Sequence, residues 1–205
     1  MAAVAQRGPY LKGQARREAI LKGALNAFSE LGSRKASMRA IAREVGISPA
    51  LLQYYFASRD DLLLGVINEW DMSNTKRGEN VSHFAGWLRS IRHNAVVPGL
   101  FHLYTTSVVE ATDDDHPGRP FFKKRYERLT ARINNELQVQ QDKGNIPKDA
   151  DKDRIARILL AVSEGLQIRW LHEPDFDIAE EFKFLLDQFS IVIPEQELGD
   201  EDPPR

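Results

Sequence analysis

The sequence predicts an all-α protein of about nine helices, with a small N-terminal unit of three helices followed by a larger helical body. Two observations predict this class. Apolar residues recur at spacings of three and four residues, and no segment shows the alternation typical of a strand. Glycine and proline stand between the apolar stretches, where helices begin or end. We expect residues 1–60 to form the small unit, residues 61–194 the body and residues 195–205 an acidic flexible tail.

The first helix covers the apolar stripe of residues 20–31, and Gly32 is its expected C-cap. The preceding residues 1–14 have no signal-peptide core. They contain Arg7 and Lys12 and are expected to form a flexible basic arm that reaches phosphates or a minor groove, or else a disordered tail. The expected core of the small unit consists of Phe28, Leu31, Ile41, Val45, Leu52 and Phe56.

Residues 37–59 predict two short helices joined by a tight turn. Ser37 is the expected N-cap of the first, and Gly46 fits the left-handed conformation in which that helix would end. Ser48 is a second N-cap, and Pro49 fits the first helical position, where a missing N–H costs nothing. Two such helices form a helix-turn-helix, a shape that fits the DNA major groove.

The second helix of this motif has an outer side that is mostly polar and aromatic. Gln53 lies on it and can pair with the N6 and N7 atoms of adenine, which is worth about 1–3 kcal/mol of discrimination. A solvated surface role is the alternative for Gln53. Expected base contacts are Arg39, Pro49, Ala50, Gln53 and Tyr54, and expected phosphate contacts include Lys35 and Ser48.

Charge divides the chain at the same place. Residues 1–60 contain ten basic and four acidic side chains, a net charge of +6. The whole chain carries −2, so the remaining residues sum to −8. A basic head attracts phosphate and an acidic body stays away from it, so binding to DNA is expected to weaken steeply with salt.

Several motifs follow one another in the head. They are Phe28–Leu31–Gly32, Ser37, Ile41–Ala42, Val45–Gly46–Ile47–Ser48, Tyr55–Phe56 and Ser58–Arg59–Asp60–Asp61–Leu62–Leu63. Through them, residues 16–67 resemble the DNA-binding domain of the TetR family of transcriptional regulators. Gln53 departs from that pattern, since many members carry Tyr there, and the operator sequence is expected to depend on this difference.

The resemblance implies roles for individual residues. The positions of Arg39, Pro49, Ala50, Gln53 and Tyr54 commonly face bases in this family, and those of Tyr55 and Arg59 commonly bind phosphate. Ser37 is counted among the expected DNA contacts as well. For Tyr55, core packing with an exposed hydroxyl group is an equally good interpretation.

The last two long helices of the body, residues 151–172 and 176–192, are the expected dimer contact. Their apolar residues are Ile155, Ile158, Leu159, Val162, Leu166 and Trp170 on one side, and Phe182, Leu185, Leu186 and Phe189 on the other. Gly165 lowers helix propensity by about 1 kcal/mol relative to Ala, which suggests close helix approach. Two such helices per subunit can form a four-helix bundle, as the resemblance also implies, and the operator is then an inverted repeat. The alternative is packing inside a monomer.

The body also contains more aromatic side chains than plain packing requires. Candidate ligand-binding residues are Phe84, Trp87, Phe101, Tyr104, Thr105, Val108, Phe122, Tyr126 and Trp170. A mostly apolar pocket with a few hydroxyl groups is typical of a small-molecule site. The identity of the small molecule does not follow from the sequence, and ordinary core packing is the alternative for each residue.

Other classes of function have little support. The chain has no cysteine, no Gly-rich phosphate loop and no catalytic motif, so no enzyme activity, cofactor or metal site is predicted. The acidic loop 113–116 is interpreted as solvated rather than as a cation site. No apolar run approaches the ~20 residues of a membrane span, so we expect a soluble cytoplasmic protein.

The sequence therefore predicts a homodimeric DNA-binding regulator, most simply a repressor that a small-molecule inducer releases from double-stranded operator DNA. The helix of residues 60–77 would link the head to the body. A regulator or architectural protein without a small-molecule ligand is the alternative, and it would differ in having a body filled with its own side chains.

Overall fold

The computed structural model describes residues 7–31, 36–77, 81–97 and 99–198. Within these ranges the chain forms ten α-helices and no strand, which confirms the predicted all-α class. The helices are α1 (Arg7–Leu31), α2 (Met38–Val45), α3 (Pro49–Tyr55), α4 (Arg59–Arg77), α5 (His83–Ala95), α6 (Leu100–Glu110), α7 (Arg119–Asp142), α8 (Lys152–His172), α9 (Ile178–Gln188) and α10 (Glu195–Leu198). No helix among the described residues is long and apolar enough to cross a membrane.

The chain divides into two compact units, Met1–Asp71 and Met72–Arg205. The division falls inside α4, later than the boundary after residue 60 that the sequence predicts. Contacts at Gly65 explain why the first turns of α4 belong to the N-terminal unit. A Cβ atom added at Gly65 would lie 3.0 Å from a methyl group of Leu21 and 3.1 Å from the ring of Phe56.

The N-terminal unit has the small core that the sequence predicts, with two differences. Phe28, Ile41, Leu52 and Phe56 are buried, whereas Leu31 and Val45 are only partly covered. α1 and α2 approach closely at Gly23, where an added Cβ would meet the Cγ2 atom of Val45 at 2.8 Å. Glycine is thus needed there for packing rather than for its backbone conformation.

The C-terminal unit is built around a second core, to which α5, α7, α8 and α9 contribute most of the side chains. Its largest fully buried members include Phe84, Leu88, Ile133, Leu137 and Phe182. The buried amide group of Gln141 ties the C-terminal end of α7 to the loop that follows, since its Nε2 donates to the carbonyl oxygens of residues 147, 148 and 150 at 3.0–3.3 Å. Such bonds satisfy loop carbonyl groups that burial would otherwise leave unpaired.

The chain ends differ from the sequence prediction. A flexible tail was expected from residue 195, but Glu195–Leu198 forms the helical turn α10. The Glu197 carboxylate accepts the N–H of Ser82 at 2.8 Å, and its backbone oxygen accepts from Arg89 at 2.7 Å. These bonds fix the turn against the start of α5, and the bond from Ser82 lowers the pKa of the Glu197 carboxyl group.

At the other end, α1 begins at Arg7, so residues 7–14 are helical instead of forming a flexible arm. Residues 1–6, the expected C-cap Gly32 and the expected phosphate contact Lys35 lie outside the described residues.

Candidate nucleic-acid interface and effector region

The turn between α2 and α3 has the geometry that its sequence predicts. Ser37 Oγ accepts the N–H of Ala40 at 3.3 Å, and Gly46 ends α2 with a φ of 70°. Ser48 Oγ accepts the N–H of Leu51 at 3.1 Å, and Pro49 opens α3. Gly46 and Ser48 cap the facing ends of α2 and α3 and are two residues apart, so the angle between these helices is set locally.

One side of α3 is buried, and the opposite side is exposed to solvent. Leu52 is buried, whereas Pro49, Ala50, Gln53 and Tyr54 are exposed. The Tyr54 side chain is 81% exposed, and its ring meets the ring of Tyr55 edge to face at 5.3 Å. An exposed row of amide, phenol and small apolar groups on a short helix is suited to reading base edges.

Two arginines of the N-terminal unit are held by internal contacts. Arg59 Nε donates to the carbonyl oxygen of Ala36 at 3.2 Å, and its guanidinium lies 5.8 Å from the centre of the Phe28 ring. Arg17 places its guanidinium 4.8 Å from the centre of the Phe56 ring. Sequence reasoning missed both contacts, since neither partner is close in the chain. Arg59 therefore anchors the start of α4 in addition to any contact with phosphate.

The remaining residues predicted to contact DNA differ in their exposure to solvent. Arg39 is exposed on the first turn of α2. Tyr55 is half-buried, so the interpretation as a packing residue with an accessible edge stays open. The hydroxyl oxygens of Ser37 and Ser48 accept capping bonds, but a hydroxyl group keeps its own proton to donate to a phosphate.

The predicted ligand residues form two groups along one core, since Phe84 and Phe101 are both members of it and Trp87, Tyr126 and Trp170 pack against it. Phe84 and Trp87 belong to the main core, with the ring of Trp87 4.6 Å from that of Phe182 on α9. The second group surrounds α6 and comprises Phe101, Tyr104, Thr105, Val108, Phe122, Tyr126 and Trp170. In it the Phe101 and Trp170 rings are 5.5 Å apart and the Tyr104 and Phe122 rings 6.2 Å apart.

A polar cluster lies within the second group. Glu164 Oε1 accepts the hydroxyl protons of Tyr104 and Tyr126, each at 2.6 Å. Arg125 donates to the Tyr104 hydroxyl oxygen at 2.8 Å, and its guanidinium lies 4.8 Å from the centre of that ring. Burial is the main reason why the pKa values of both tyrosines are raised, and the bond to Glu164 adds to the effect. Both hydroxyl groups therefore keep their protons.

Sequence reasoning missed Glu164 and Arg125. One signal was present for Glu164, since it is the only charged residue between Leu159 and Ile168. A lone carboxylate in an apolar stretch of helix requires hydrogen-bond donors when it is covered. Nothing in the sequence indicates that Tyr104, sixty residues earlier, supplies one of them.

A shallow depression of about 540 Å³ runs along α7. Its lining residues are Lys123, Tyr126, Glu127, Thr130, Ala131 and Asn134. Tyr126 is the one predicted ligand residue among them, and it also belongs to the cluster around Glu164. No group of acidic or histidine side chains that could hold a metal ion occurs in the described part of the chain.

The residues predicted to form the dimer contact include both buried and exposed side chains. Ile155, Leu159, Phe182 and Leu186 are buried in the core of their own unit and cannot form a surface, so their assignment to a dimer contact is wrong. The predicted Ile158 is exposed on α8 together with Gly165 and Ile168, and Phe184 is exposed on α9. A Cβ atom added at Gly165 would meet nothing within 4 Å, so this glycine serves no packing contact among the described residues.

Comparison with known proteins agrees with this architecture. Residues 20–66 match the family model for bacterial regulatory proteins of the TetR family. The transcriptional regulator UidR of Escherichia coli strain K12 is 26% identical over 162 residues, covering 76% of this chain and 81% of UidR.

Two solved structures share the fold. A TetR-family regulator from Rhodococcus superposes with a TM-score of 0.71 at 23% identity, over 86% of this chain and 99% of its own. A transcriptional regulator from Saccharomonospora viridis, solved in complex with choline, gives a TM-score of 0.68 at 21% identity, over 86% of this chain and 95% of its own. At these identities the likeness establishes the fold, a helix-turn-helix domain followed by a helical domain.

Proposed function

Because the chain belongs to the TetR family of transcriptional regulators, which are not enzymes, we propose that it is a repressor released from an inverted-repeat operator by a small-molecule inducer. The observation that carries the proposal is the exposed outer side of α3, where Gln53 and Tyr54 project from a helix fixed by local caps. Family members are often repressors with ligand-binding C-terminal domains.

DNA recognition divides between base readout and phosphate contacts. α3 enters the major groove with Pro49, Ala50, Gln53 and Tyr54 towards base edges. The net charge of +6 over residues 1–60 supplies the attraction to phosphate. Arg39 and the serine caps are exposed, and their contacts with phosphate would hold α3 in register.

The direct test is a gel-shift titration on the promoter DNA that flanks the protein's own gene, at low and high salt. We expect a saturable, salt-sensitive shift that unrelated competitor DNA does not abolish. Weak binding that is equal on all sequences would contradict the proposal, because a generic phosphate contact produces no sequence preference.

Gln53→Ala is expected to lower discrimination between the operator and a variant with an altered contacted base by about 1–3 kcal/mol, because the bidentate contact to adenine is lost. Non-specific affinity and the salt slope should stay as in the wild type. Gln138→Ala removes an exposed glutamine from the C-terminal unit and is the matched control. Unchanged base preference in Gln53→Ala would remove Gln53 from the readout.

A homodimer follows from the operator symmetry that the proposal requires, and the exposed apolar residues of α8 and α9 are its candidate contact. An exposed mid-helix glycine costs about 1 kcal/mol relative to alanine. Gly165 has free space in its own unit, so close approach of the partner's helix is a reason for it to be there. Ile158 and Ile168 lie along the same side of α8 as this glycine, two turns and one turn away.

Phe184→Asp is expected to give a monomer at micromolar concentration and to abolish tight operator binding, because a charge replaces an exposed apolar side chain of the proposed contact. Light scattering after size-exclusion chromatography measures the mass. Val109→Asp is a well-matched control, since Val109 is 62% exposed and Phe184 63%, but Val109 lies on α6 rather than on α8 or α9. A dimeric Phe184→Asp protein, or a monomeric Val109→Asp protein, would place the contact elsewhere.

The inducer is proposed to bind the C-terminal unit, near the group of aromatic residues around α6. The regulator from Saccharomonospora viridis, with the same fold, is described in complex with choline, so this fold can hold a small organic molecule. Ligand and DNA affinities would be reciprocally coupled through α4, typically by about 1–3 kcal/mol. A cytoplasmic location accords with this role.

One observation favours the alternative of a regulator without a ligand. Phe84, Phe101 and Phe122 are all buried, and the Thr105 hydroxyl donates to the carbonyl oxygen of Phe101 at 2.8 Å. Much of the expected pocket is thus filled by the chain itself. Screening small molecules for release of the gel-shift complex separates the two functions.

A further inference from the structure

Among the residues that the structure describes, no cation contacts the carboxylate of Glu164 directly. Two neutral hydroxyl groups supply its hydrogen bonds, and both bonds fall on Oε1. Oε2 receives no hydrogen bond from any described residue. Arg125 donates to the hydroxyl oxygen of Tyr104, which in turn donates to Glu164. A half-buried carboxylate is stabilised most by a charged donor that contacts it, and no such donor is found among the described residues.

The surroundings of Glu164 are suited to a cation. The faces of aromatic rings attract positive charge, and Tyr104, Phe122 and Tyr126 lie on this side of the unit. One cation already uses this property, since the Arg125 guanidinium sits 4.8 Å from the centre of the Tyr104 ring. The chain thus holds its own positive group one hydroxyl group away from the carboxylate.

A ligand could approach the cluster from the side of α7. The depression of about 540 Å³ is lined by Tyr126, whose hydroxyl group donates to Glu164. A molecule in the depression therefore touches a ring that is part of the cluster. Movement of the Arg125 side chain would free the volume of a guanidinium group beside the ring and hydroxyl group of Tyr104.

We propose that the Tyr104–Glu164–Tyr126 cluster recognises an organic cation, which pairs with Glu164 and takes the place of the Arg125 guanidinium at the Tyr104 ring. This inference rests on the proposed function, since it names the chemical class of the inducer. It assigns Glu164 as the residue that selects for charge and Arg125 as an internal competitor.

Benzamidine and benzamide are a matched pair of probes, because they are nearly equal in shape and differ in charge. Isothermal titration calorimetry on the full chain should give benzamidine an affinity about tenfold or more above that of benzamide. Glu164→Gln keeps the acceptor oxygen and removes the charge, so it should bring the two affinities together. Glu164→Asp keeps the charge and should restore part of the preference.

Arg125→Gln supplies the more demanding readout, because loss of the competitor should raise the affinity for benzamidine several-fold. Lys124→Gln makes the same change in net charge at an exposed neighbouring position and should leave the affinity unchanged. Circular dichroism confirms that each variant is folded.

Equal affinities for the two probes, no benzamidine binding at millimolar concentration, or a preference that survives in Glu164→Gln would each overturn the inference. Weaker benzamidine binding in Arg125→Gln would overturn the role of the internal competitor. DNA release is measured separately by gel shift. If another class of molecule releases the DNA while benzamidine does not bind, the cation site is wrong and the proposed function stands.

Discussion

Phe56→Ala is expected to lower the free energy of unfolding of the N-terminal unit by about 3–5 kcal/mol and to abolish operator binding. Phe56 is fully buried, its N–H donates to the carbonyl oxygen of Leu52 at 3.0 Å, and its ring lies against α4 at Gly65. Truncation would leave a cavity where α3 ends and α4 begins. A unit of about 70 residues has only a few kcal/mol of stability to lose, so the head should unfold.

Tyr54→Ala is the contrasting change, two residues away on the same helix. Tyr54 is exposed and contacts mainly the edge of Tyr55, so its loss should alter stability by no more than about 0.5 kcal/mol. Specific DNA affinity should nevertheless fall strongly, because the side chain lies on the outer side of α3. Urea denaturation followed by circular dichroism, together with gel shifts, measures both quantities.

The two substitutions thus separate folding from recognition. Phe56→Ala should lower both the free energy of unfolding and the affinity for DNA, whereas Tyr54→Ala should lower only the affinity for DNA. A stable Phe56→Ala protein that still binds its operator would mean that the head does not depend on the α3–α4 junction. Full operator affinity in Tyr54→Ala would mean that the outer side of α3 does not read the DNA.

The structure of the N-terminal unit was largely predictable because the residues that determine it act on their near neighbours in the chain. Ser37, Gly46, Ser48 and Pro49 each act within a few residues, through a capping bond or a fixed backbone angle. A pattern over four residues is enough to predict such features. Burial in the core followed from helical periodicity, which places Leu52 and Phe56 on one side of the motif.

The polar contacts of the body were not predictable, because their partners are far apart in the chain. Glu164 meets Tyr104 across sixty residues, and Glu197 meets Ser82 across 115. Their pairing depends on how the helices pack, which periodicity does not specify. The second of these contacts also explains why residues 195–198 are helical where composition predicts a flexible tail.

Helical periodicity also did not distinguish the side of a helix that faces the core from the side that faces solvent or a partner. On α8 the apolar residues cover more than half of the circumference, so Ile155 and Ile158 both fit a stripe. The structure buries the first and exposes the second. A helix that packs on its own unit and also on a partner needs two apolar sides, and the sequence cannot say which side faces inward.

His83 makes the stability of the C-terminal unit depend on pH. It begins α5, where its N–H donates to Glu136 at 3.2 Å, and its ring lies 5.9 Å from that of Trp87. Nε2 is buried and has no hydrogen-bond partner among the described residues. Burial, and then the positive charge of Arg132, lower the pKa of the imidazole from 6.5 to about 4.

The unfolded chain therefore binds a proton at this histidine below about pH 6.5, whereas the folded chain binds it only below about pH 4. Between these values the unfolded state holds more protons, so acid favours unfolding. We expect His83 to cost roughly 3 kcal/mol of stability as the pH falls from 6.5 to 4, and nothing above that window.

His83→Phe should remove this part of the pH dependence, because a phenyl ring fits the same aromatic surroundings without a proton to bind. Urea denaturation at several pH values between 7 and 4 measures the free energy of unfolding of the variant and of the wild type. The contributions of the carboxylates cancel in the difference between the two. His102→Gln changes an exposed histidine on α6 and should retain the wild-type slope. If His83→Phe and the wild type lose stability in parallel, protonation of His83 does not oppose folding, and its Nε2 must find an acceptor such as Glu136 when the proton binds.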